Sequence, residues 1–180
     1  MSIQLEMHYM TLDNLPEVLK VEEDCYEFPW TRNDFLCCLG QRTSHGIVAE
    51  YTRHVVGFMM YEFLPHLHLL HVLNFAVSPS FRRKGVGTEM VWRLKQKLSE
   101  HSHHAIILEV RETNLPAQLF LRSRHFEART VLRGYYQDTI EDAYQMSYEL
   151  PGYQEMLVAH QPKNRVTDFW DILQRQKGSA

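Results

Sequence analysis

The chain has 180 residues, of which 44% are apolar and 23% charged, a balance typical of a folded globular domain rather than a disordered chain. Its 19 basic and 22 acidic residues give a net charge of −3, which argues against binding to nucleic acid through bulk electrostatics. No apolar run reaches the roughly 18 residues of a membrane helix, and the first ten residues lack a secretory signal pattern. Because three cysteines do not make a disulfide framework, we expect a cytoplasmic protein that binds no membrane.

Apolar spacing predicts the elements of the first half of the chain. In order, they are a strand over Ile3–Met10, a helix from Asp13 or Asn14 to Cys25, a second short helix, a hairpin of His45–Thr52 with Val55–Leu64, and a strand over Leu67–Val77. The second helix is predicted to start after Thr31, because Thr31 and Asp34 have the spacing of a capping box. Gly40 is expected to end it.

Helices and strands alternate in the second half of the chain. In order, we predict a helix over Gly85–Ser99, a strand over Ala105–Val110, a helix over Asn114–Ser123, and strands over Phe126–Tyr136 and Ala143–Leu150. This order indicates an α/β (α+β) domain with a mixed sheet. Pro151-Gly152 marks a boundary between a domain over residues 1–150 and a C-terminal extension over 151–180. Within the extension, Phe169, Trp170 and Leu173 predict a short amphipathic helix.

The segment Arg82–Thr88, which reads RRKGVGT, has the composition of an anion-binding loop. Its two glycines let the backbone turn tightly and present amide N–H groups, and the helix that follows adds the positive end of its dipole. The spacing is not that of a Walker loop, and Met90 stands where a dinucleotide fingerprint needs a third glycine. Taken alone, the loop fits a phosphate site and an ordinary glycine-capped basic turn equally well.

Several motifs in a fixed order make the chain resemble the GNAT N-acetyltransferases. It is most similar to the bacterial ribosomal-protein-alanine N-acetyltransferases and related protein N-terminal acetyltransferases, over about residues 3–150. The motifs are Phe28-Pro29-Trp30-Thr31, Asn74–Pro79, the Arg-x-x-Gly-x-Gly of the basic loop, Leu108–Asn114, Ala117, Arg133–Tyr136 and Glu141-Asp142-Ala143. The resemblance implies a central mixed sheet of about seven strands, with two splayed parallel strands at its centre and about four flanking helices.

The resemblance also implies acetyl-CoA as co-substrate, without a metal. In the family, the pantetheine arm pairs with the first splayed strand, the pyrophosphate lies on the glycine loop, and an asparagine after the second splayed strand contacts the cofactor. The matching positions are Phe75, Ala76 and Val77 in the strand, Arg82, Arg83, Lys84, Gly85, Val86, Gly87 and Thr88 in the loop, and Asn114. Asn114 is also suited to cap the helix that it precedes.

Glu109 interrupts the otherwise apolar strand over Ala105–Val110. A buried carboxylate is costly unless it is paired, so we expect this side chain to reach a solvated cleft. In the alanine acetyltransferases that the chain resembles, this glutamate is the general base, acting directly or through water. An acceptor α-amine has a pKa of about 7.7–8.0, so such a base has a proton to remove before attack. A backbone N–H of Ala76 or Val77 is expected to stabilise the oxyanion.

One position departs from the family pattern. The family's tyrosine, which protonates the departing CoA thiolate, is replaced by Leu121. Three explanations stay open: water protonates the thiolate, Tyr135 or Tyr136 substitutes, or the chain binds acyl-CoA without turning it over. In the relatives, tyrosines at the terminal hairpin hold the substrate N-terminus, which makes Tyr135 and Tyr136 the predicted substrate-binding residues. The structural alternative is a cross-strand aromatic pair.

These observations predict an enzyme, an acetyl-CoA-dependent N-acetyltransferase that acts on a protein or peptide N-terminal α-amine. A small amine or a lysine side chain is the alternative acceptor, and a catalytically weak acyl-CoA-binding module is the alternative activity. The adjacent Glu141-Asp142 is expected to attract a cationic amine. No metal site is predicted from the eleven histidines, because His66, His68 and His71 do not share one strand face. We expect the extension to dock either on its own domain or on a second copy of the chain, and the second arrangement would be a homodimer.

Overall fold

The computed structural model describes residues 4–99 and 102–151. The chain divides into two compact units, Met1–Glu149 and Leu150–Ala180, and the account below concerns the first. The amphipathic helix predicted around Phe169, Trp170 and Leu173 lies outside the described residues. Among the residues described, no helix combines the length and the apolarity that crossing a membrane requires.

Residues 4–99 and 102–151 contain seven strands and four α-helices. The strands are β1 (Glu6–Tyr9), β2 (Ser44–Tyr51), β3 (His54–Leu64), β4 (Leu69–Val77), β5 (Ala105–Arg111), β6 (Glu127–Tyr136) and β7 (Glu141–Glu149). The helices are α1 (Leu15–Cys25), α2 (Arg32–Leu39), α3 (Val86–Lys95) and α4 (Leu115–Ser123). Each corresponds to a predicted element, with limits that differ by a few residues.

The strands form one sheet in the order β1-β2-β3-β4-β5-β7-β6. Every neighbouring pair is antiparallel except β4 with β5, which are parallel. The parallel pairing runs only from Leu69 with Ala105 to His71 with Ile107, although both strands continue for several residues. The two central strands therefore part after His71. This confirms the predicted mixed sheet with splayed central strands.

Local sequence signals account for the way several elements begin and end. At the start of α2, Thr31 Oγ1 accepts a hydrogen bond from Asp34 N–H at 3.3 Å, and Asp34 Oδ2 accepts one from Thr31 N–H at 2.7 Å. This reciprocal pair is the predicted capping box. Between β2 and β3, Thr52 and Arg53 have φ angles of 49° and 67°, which is the two-residue turn that matches strand twist.

Helices cover the middle of the sheet, so β3 is buried without a break from Val55 to Tyr61. On one side, Leu15 and Val18 of α1 and Phe35 of α2 pack into one cluster with Phe58 of β3. The apolar face of α3 is buried as predicted, through Val86, Met90, Val91, Leu94 and the following Leu98. Burial of this kind stabilises the sheet by about 1.5–3 kcal/mol for each large apolar side chain. This packing stabilises the edge of β4 that pairs with β3. Beyond His71, the other edge of β4 faces the gap that opens where β4 and β5 part.

Candidate active site

The gap between β4 and β5 exposes one edge of β4. Ser78 N–H donates to Val56 O at 2.9 Å. In an antiparallel pair, every second residue bonds to the neighbouring strand, so this bond shows which residues of β4 turn their backbone groups toward β3. By that alternation, Ala76 turns its N–H and C=O toward β3. Phe75 and Val77 turn theirs toward the gap. Of the three strand residues predicted to bind the cofactor, these two therefore present backbone groups to the gap, and Ala76 does not.

Side chains from α1 and from the basic loop bind the carbonyl oxygens of this edge. Tyr26 Oη donates to Phe75 O at 2.7 Å. Arg82 Nε donates to Val77 O at 3.1 Å, and Cys25 Sγ lies 3.4 Å from the same oxygen. Arg82 is thus directed at β4 rather than at the start of α3. These contacts involve the carbonyl oxygens, so the two edge N–H groups are the ones that point into the gap as donors.

The loop before α3 has the backbone geometry of an anion site. Arg83 and Gly85 are left-handed, with φ angles of 62° and 90°, a conformation that glycine adopts without strain. The first hydrogen bond of α3 joins Glu89 N–H to Gly85 O at 3.0 Å, so the helix supplies no acceptor for the amides of residues 86–88. A Cβ added to Gly85 would meet no atom within 4 Å. Open space, unpaired helix amides and basic side chains together fit a phosphate group.

At Gly87, the second glycine of the loop, the absence of a side chain is required for a different reason. A Cβ at this position would lie 3.2 Å from Phe120 Cζ and 3.4 Å from Phe75 Cζ. These rings belong to α4 and β4, and their centroids are 6.2 Å apart. Gly87 therefore permits α3, α4 and β4 to approach one another beside the gap. On the far side of the gap, Asn114 Oδ1 accepts from Ala117 N–H at 3.1 Å and caps α4, as expected.

Glu109 lies on β5, two residues beyond the last pair that β5 makes with β4. The expectation that its side chain reaches a solvated cleft is wrong, because only 7% of that side chain is exposed. Glu109 Oε2 lies 2.7 Å from His71 Nε2, and Oε1 accepts from Gln145 Nε2 at 3.2 Å. Burial is tolerated because a potential cation and an amide donor sit beside the carboxylate.

His71 joins two carboxylates from different strands. Its Nδ1 lies 3.1 Å from Glu62 Oε1 on β3, and its Nε2 lies 2.7 Å from Glu109 Oε2 on β5. An ionised carboxylate oxygen only accepts hydrogen bonds, so both contacts are satisfied when both ring nitrogens carry a proton. Burial lowers the pKa of His71, but the hydrogen bonds to Glu109 and Glu62 outweigh burial and raise that pKa to about 9. We refer to Glu62, His71 and Glu109 as the acid–histidine cluster.

Two members of the acid–histidine cluster, Glu62 and His71, were missed by sequence reasoning. The feature that could have revealed them is that each is a polar residue inside an otherwise apolar strand. Their neighbourhood depends on strand order and register, which place Glu62 opposite His71, and His71 opposite Ile107. Directly paired residues share a face, and so do residues two apart on one strand, which brings Glu109 to the same face.

Tyr135 and Tyr136 lie at the end of β6, beside Glu109. Their rings meet edge to face with centroids 5.1 Å apart, so this is a contact between adjacent residues rather than across strands. Tyr136 Oη donates to the backbone oxygen of Glu109 at 3.3 Å. Burial and then the charge of Glu109 raise the pKa of both phenols, that of Tyr136 to about 12.

The remaining residues singled out in the sequence have structural surroundings of their own. Leu121 is 3% exposed and belongs to the core, so α4 presents an aliphatic group where the family pattern has a phenol.

Glu141 lies 2.8 Å from an amino group of Arg111, and Asp142 pairs with Arg133. These two carboxylates, expected to attract a cationic acceptor, are thus already compensated by arginines. Within residues 4–99 and 102–151, no group of three or more potential ligands is arranged to hold a metal ion.

Comparison with known proteins agrees with this architecture. A sequence model described as the acetyltransferase (GNAT) family matches residues 15–126. An N-alpha-acetyltransferase from Sulfolobus acidocaldarius is 28% identical over 159 residues, which cover 82% of this chain and 94% of that protein. The ribosomal-protein-S18-alanine N-acetyltransferase from Escherichia coli has a similar structure, with a TM-score of 0.73, 24% identity, and coverage of 81% of this chain and 94% of that one.

A fold of the same kind has been solved with the co-substrate that the resemblance implies. The structure of Arabidopsis thaliana NAA60 in complex with acetyl-CoA has a TM-score of 0.74 at 14% identity, and the match covers 82% of this chain and 100% of that chain. The family match spans more than half of the present chain, and the splayed strands and glycine loop lie inside it. The chain therefore belongs to the acetyltransferase (GNAT) family.

Proposed function

We propose that this protein transfers the acetyl group of acetyl-CoA to a protein N-terminal α-amine, with Glu109 as general base. The observation that carries the proposal is the point where the parallel strands part. There, the open edge of β4 lies between the glycine loop and Glu109, which follows the last β4–β5 pair by two residues. The names of the relatives from S. acidocaldarius and E. coli support an α-amine as the acceptor.

Acetyl-CoA would be bound mainly through backbone groups. The N–H groups of Phe75 and Val77 suit the pantetheine arm and the thioester carbonyl, and the amides of residues 86–88 suit the pyrophosphate. Lys84 adds positive charge at the mouth of the loop, with its Nζ 4.8 Å from the centre of the Phe81 ring. Asn114 is the proposed contact after β5, where it also caps α4.

In the proposed reaction, the acceptor ammonium gives a proton to Glu109 and the neutral amine attacks the thioester carbonyl carbon. The new C–N bond forms as the carbonyl becomes an oxyanion, which the N–H of Val77 or Phe75 would stabilise. Collapse of this intermediate breaks the C–S bond. The amide nitrogen loses its second proton and the thiolate gains one, so the products are the acetylated amine, CoA and one proton released to solvent.

Water is the proposed proton source for the thiolate. A thiol has a pKa of about 8.5, whereas burial and the nearby Glu109 raise the pKa of Tyr136 to about 12 and that of Tyr135 further. Proton transfer from either phenol to a thiolate would therefore be uphill. Tyr135 and Tyr136 fit better as groups that hold the acceptor next to Glu109.

The experiment that tests the proposed function is an acetyl-transfer assay with a panel of acceptors. We expect CoA release with N-terminal peptides, beginning with an alanine-initiated ribosomal-protein peptide, and acetylation located at the α-amine by mass spectrometry. An α-acetylated copy of the same peptide is the control and should be inert. Faster turnover of polyamines, aminoglycosides or internal lysines would reassign the acceptor. Binding of CoA without turnover of any amine would favour the acyl-CoA-binding module.

Cellular location and assembly stay predictions. The cytoplasm is the compartment in which new protein N-termini and acetyl-CoA meet, which suits the proposed reaction. A homodimer formed through the C-terminal extension is tested by comparing the mass in solution of the full chain with that of a chain ending at residue 160.

A further inference from the structure

The acid–histidine cluster crosses the three central strands on one face of the sheet. Glu62 lies on β3, His71 on β4 and Glu109 on β5, and Glu62 and His71 are a directly opposed pair. The His71 side chain is 4% exposed and that of Glu109 is 7% exposed, whereas 19% of the Glu62 side chain is exposed. The cluster therefore runs from the buried point where the strands part to a partly hydrated end at Glu62.

Hydrogen-bond chemistry assigns a charge to each member of the cluster. Both ring nitrogens of His71 face carboxylate oxygens, at 3.1 Å and 2.7 Å. A neutral imidazole has one donor and one bare nitrogen, so one of the two contacts would bring a lone pair against an ionised oxygen. The arrangement is satisfied by an imidazolium between two carboxylates. Its net charge of one negative unit complements a cationic amine.

We propose that Glu62 is a positioning residue of the acetyl-transfer site: its carboxylate keeps the His71 ring protonated on both nitrogens, and the charged ring, which orients Glu109 through Nε2–H, keeps the Glu109 carboxylate ionised. This inference rests on the proposed function, since it concerns the same general base. Glu62 does not itself touch the reacting atoms. It acts through the ring of His71, because β4 stands between β3 and the gap.

Removal of the Glu62 charge would change Glu109 through a defined route. Without an ionised partner at Nδ1, the neutral ring becomes easier to form in this buried place. The neutral ring has one proton, which the ionised Glu109 oxygen at 2.7 Å keeps on Nε2, so the ring still donates to Glu109, as do Gln145 and the neighbouring Tyr135. Glu109 would lose the nearby positive charge that favours its ionised form, so a smaller fraction of the general base would be ionised.

Other titratable groups face the cluster, and their titration contributes to the pH dependence of the activity. Cys38 of α2 lies close enough to Glu62 for the carboxylate to contribute, after burial, to raising the pKa of the thiol. On the β6 side, Tyr135 and Tyr136 face Glu109, and burial followed by the Glu109 charge raises the pKa of both phenols. The pKa values of all three groups are therefore raised above their usual ranges.

The test combines kinetics with a direct titration of His71 in the full-length protein. Glu62→Gln is expected to lower kcat roughly five- to fiftyfold, less than the full loss of general-base catalysis, with KM for acetyl-CoA unchanged within about twofold. ¹⁵N NMR of the imidazole should show the His71 pKa lowered by about one unit or more. In a His71→Gln background, Glu62→Gln should have no further effect on kcat, because the residue that transmits it is gone.

Glu50→Gln is the matched control, because Glu50 Oε1 lies 3.0 Å from His8 Nε2 in a second glutamate–histidine pair at the sheet edge. It should change neither kcat nor the His71 titration. Glu62→Asp keeps the charge and should retain a raised His71 pKa even if Glu62→Gln folds poorly. An unchanged His71 titration in Glu62→Gln overturns the proposal, whatever happens to kcat. Wild-type protein that acetylates no amine refutes the proposed function instead, and the titration still decides whether Glu62 controls His71.

Discussion

The two sides of the proposed active site are built from different kinds of chemical group. The proposed cofactor side consists of the open edge of β4 and the loop before α3, and it offers mainly backbone N–H groups. The proposed acceptor side consists of the acid–histidine cluster with Tyr135 and Tyr136, and it offers side chains from several strands. A backbone site depends on local φ angles, whereas a side-chain site depends on long-range register. A substitution on one side is therefore expected to leave the other side intact.

The largest expected effect is on the acceptor side. Glu109→Gln should lower kcat roughly 10²- to 10⁴-fold, because the amide cannot take a proton from the acceptor ammonium. The affinity for CoA, measured by calorimetry, should stay the same, since the cofactor side is unchanged. Glu112→Gln is the control, because that residue lies just beyond β5 and contacts Asp142 N–H at 3.2 Å. A wild-type rate for Glu109→Gln across pH 6–9 would assign the base to another group.

The second prediction concerns stability and the sign of its pH dependence. The pKa of His71 is raised to about 9 in the folded protein, despite burial, by hydrogen bonds to Glu109 and Glu62. The stabilisation that this represents is fully present below about pH 6.5 and is lost as the pH rises through about 9. Its size is on the order of 3 kcal/mol at about 1.4 kcal/mol per pKa unit.

Urea unfolding at pH 6.5 and pH 9.5 measures this contribution. The free energy of unfolding should fall more steeply between the two pH values in wild type than in His71→Gln, which has no titrating ring. His8→Gln is the control for the loss of a histidine, since it removes an exposed ring at the sheet edge and leaves the acid–histidine cluster intact. Equal slopes for wild type and His71→Gln would mean that His71 is not an imidazolium in the folded protein.

On the cofactor side, Gly85→Ala should weaken CoA binding more than tenfold. Its φ of 90° strains any residue with a Cβ, and the added methyl group points into space that a phosphate would use. Gly134→Ala is a matched control on β6, with a φ of 57° and equally open surroundings. Both variants should lose similar stability in thermal melts, and only Gly85→Ala should lose CoA affinity. Equal CoA affinity in the two folded variants would remove the loop from the cofactor site.

The smallest expected effect tests whether Asn114 contacts the cofactor or only caps α4. Asn114→Ala and Thr31→Ala each remove the side-chain acceptor at a helix start, so each should cost about 1 kcal/mol of stability. Only Asn114→Ala should also reduce CoA affinity if Asn114 contacts the cofactor. Thermal melts and calorimetry on both variants make the comparison. A loss of CoA affinity in neither variant would leave Asn114 with its capping role alone.

Much of the local geometry of the proposed cofactor side was predictable because its determinants are close together in the chain. The glycine loop lies between a strand and a helix in the sequence as it does in the structure, and Gly85 occupies the left-handed position that such a turn requires. Asn114 caps α4 as its place before Leu115 suggested. The role of Gly87 was not predictable, since the rings that approach it come from β4 and α4.

The acceptor side was predictable only in part. Glu109 stood out as a carboxylate in an apolar strand, but its burial beside His71 contradicts the expected solvated cleft. The charge that makes burial tolerable comes from a residue 38 positions earlier in the chain. Sequence reasoning considered His71 only as a metal ligand, because its distance from Glu62 and Glu109 depends on which strands are neighbours.

The sequence by itself determined the elements, the capping signals, the glycine turn and the family, because each of these depends on residues near one another or on motifs in a fixed order. Tertiary structure decided where β4 and β5 part, which edge groups of β4 face the gap, and how Glu62, His71 and Glu109 meet. The physical reason is that local φ preferences and hydrophobic spacing are properties of short segments. Strand order and register instead arise from packing the whole sheet, and they alone bring distant charges within hydrogen-bond distance.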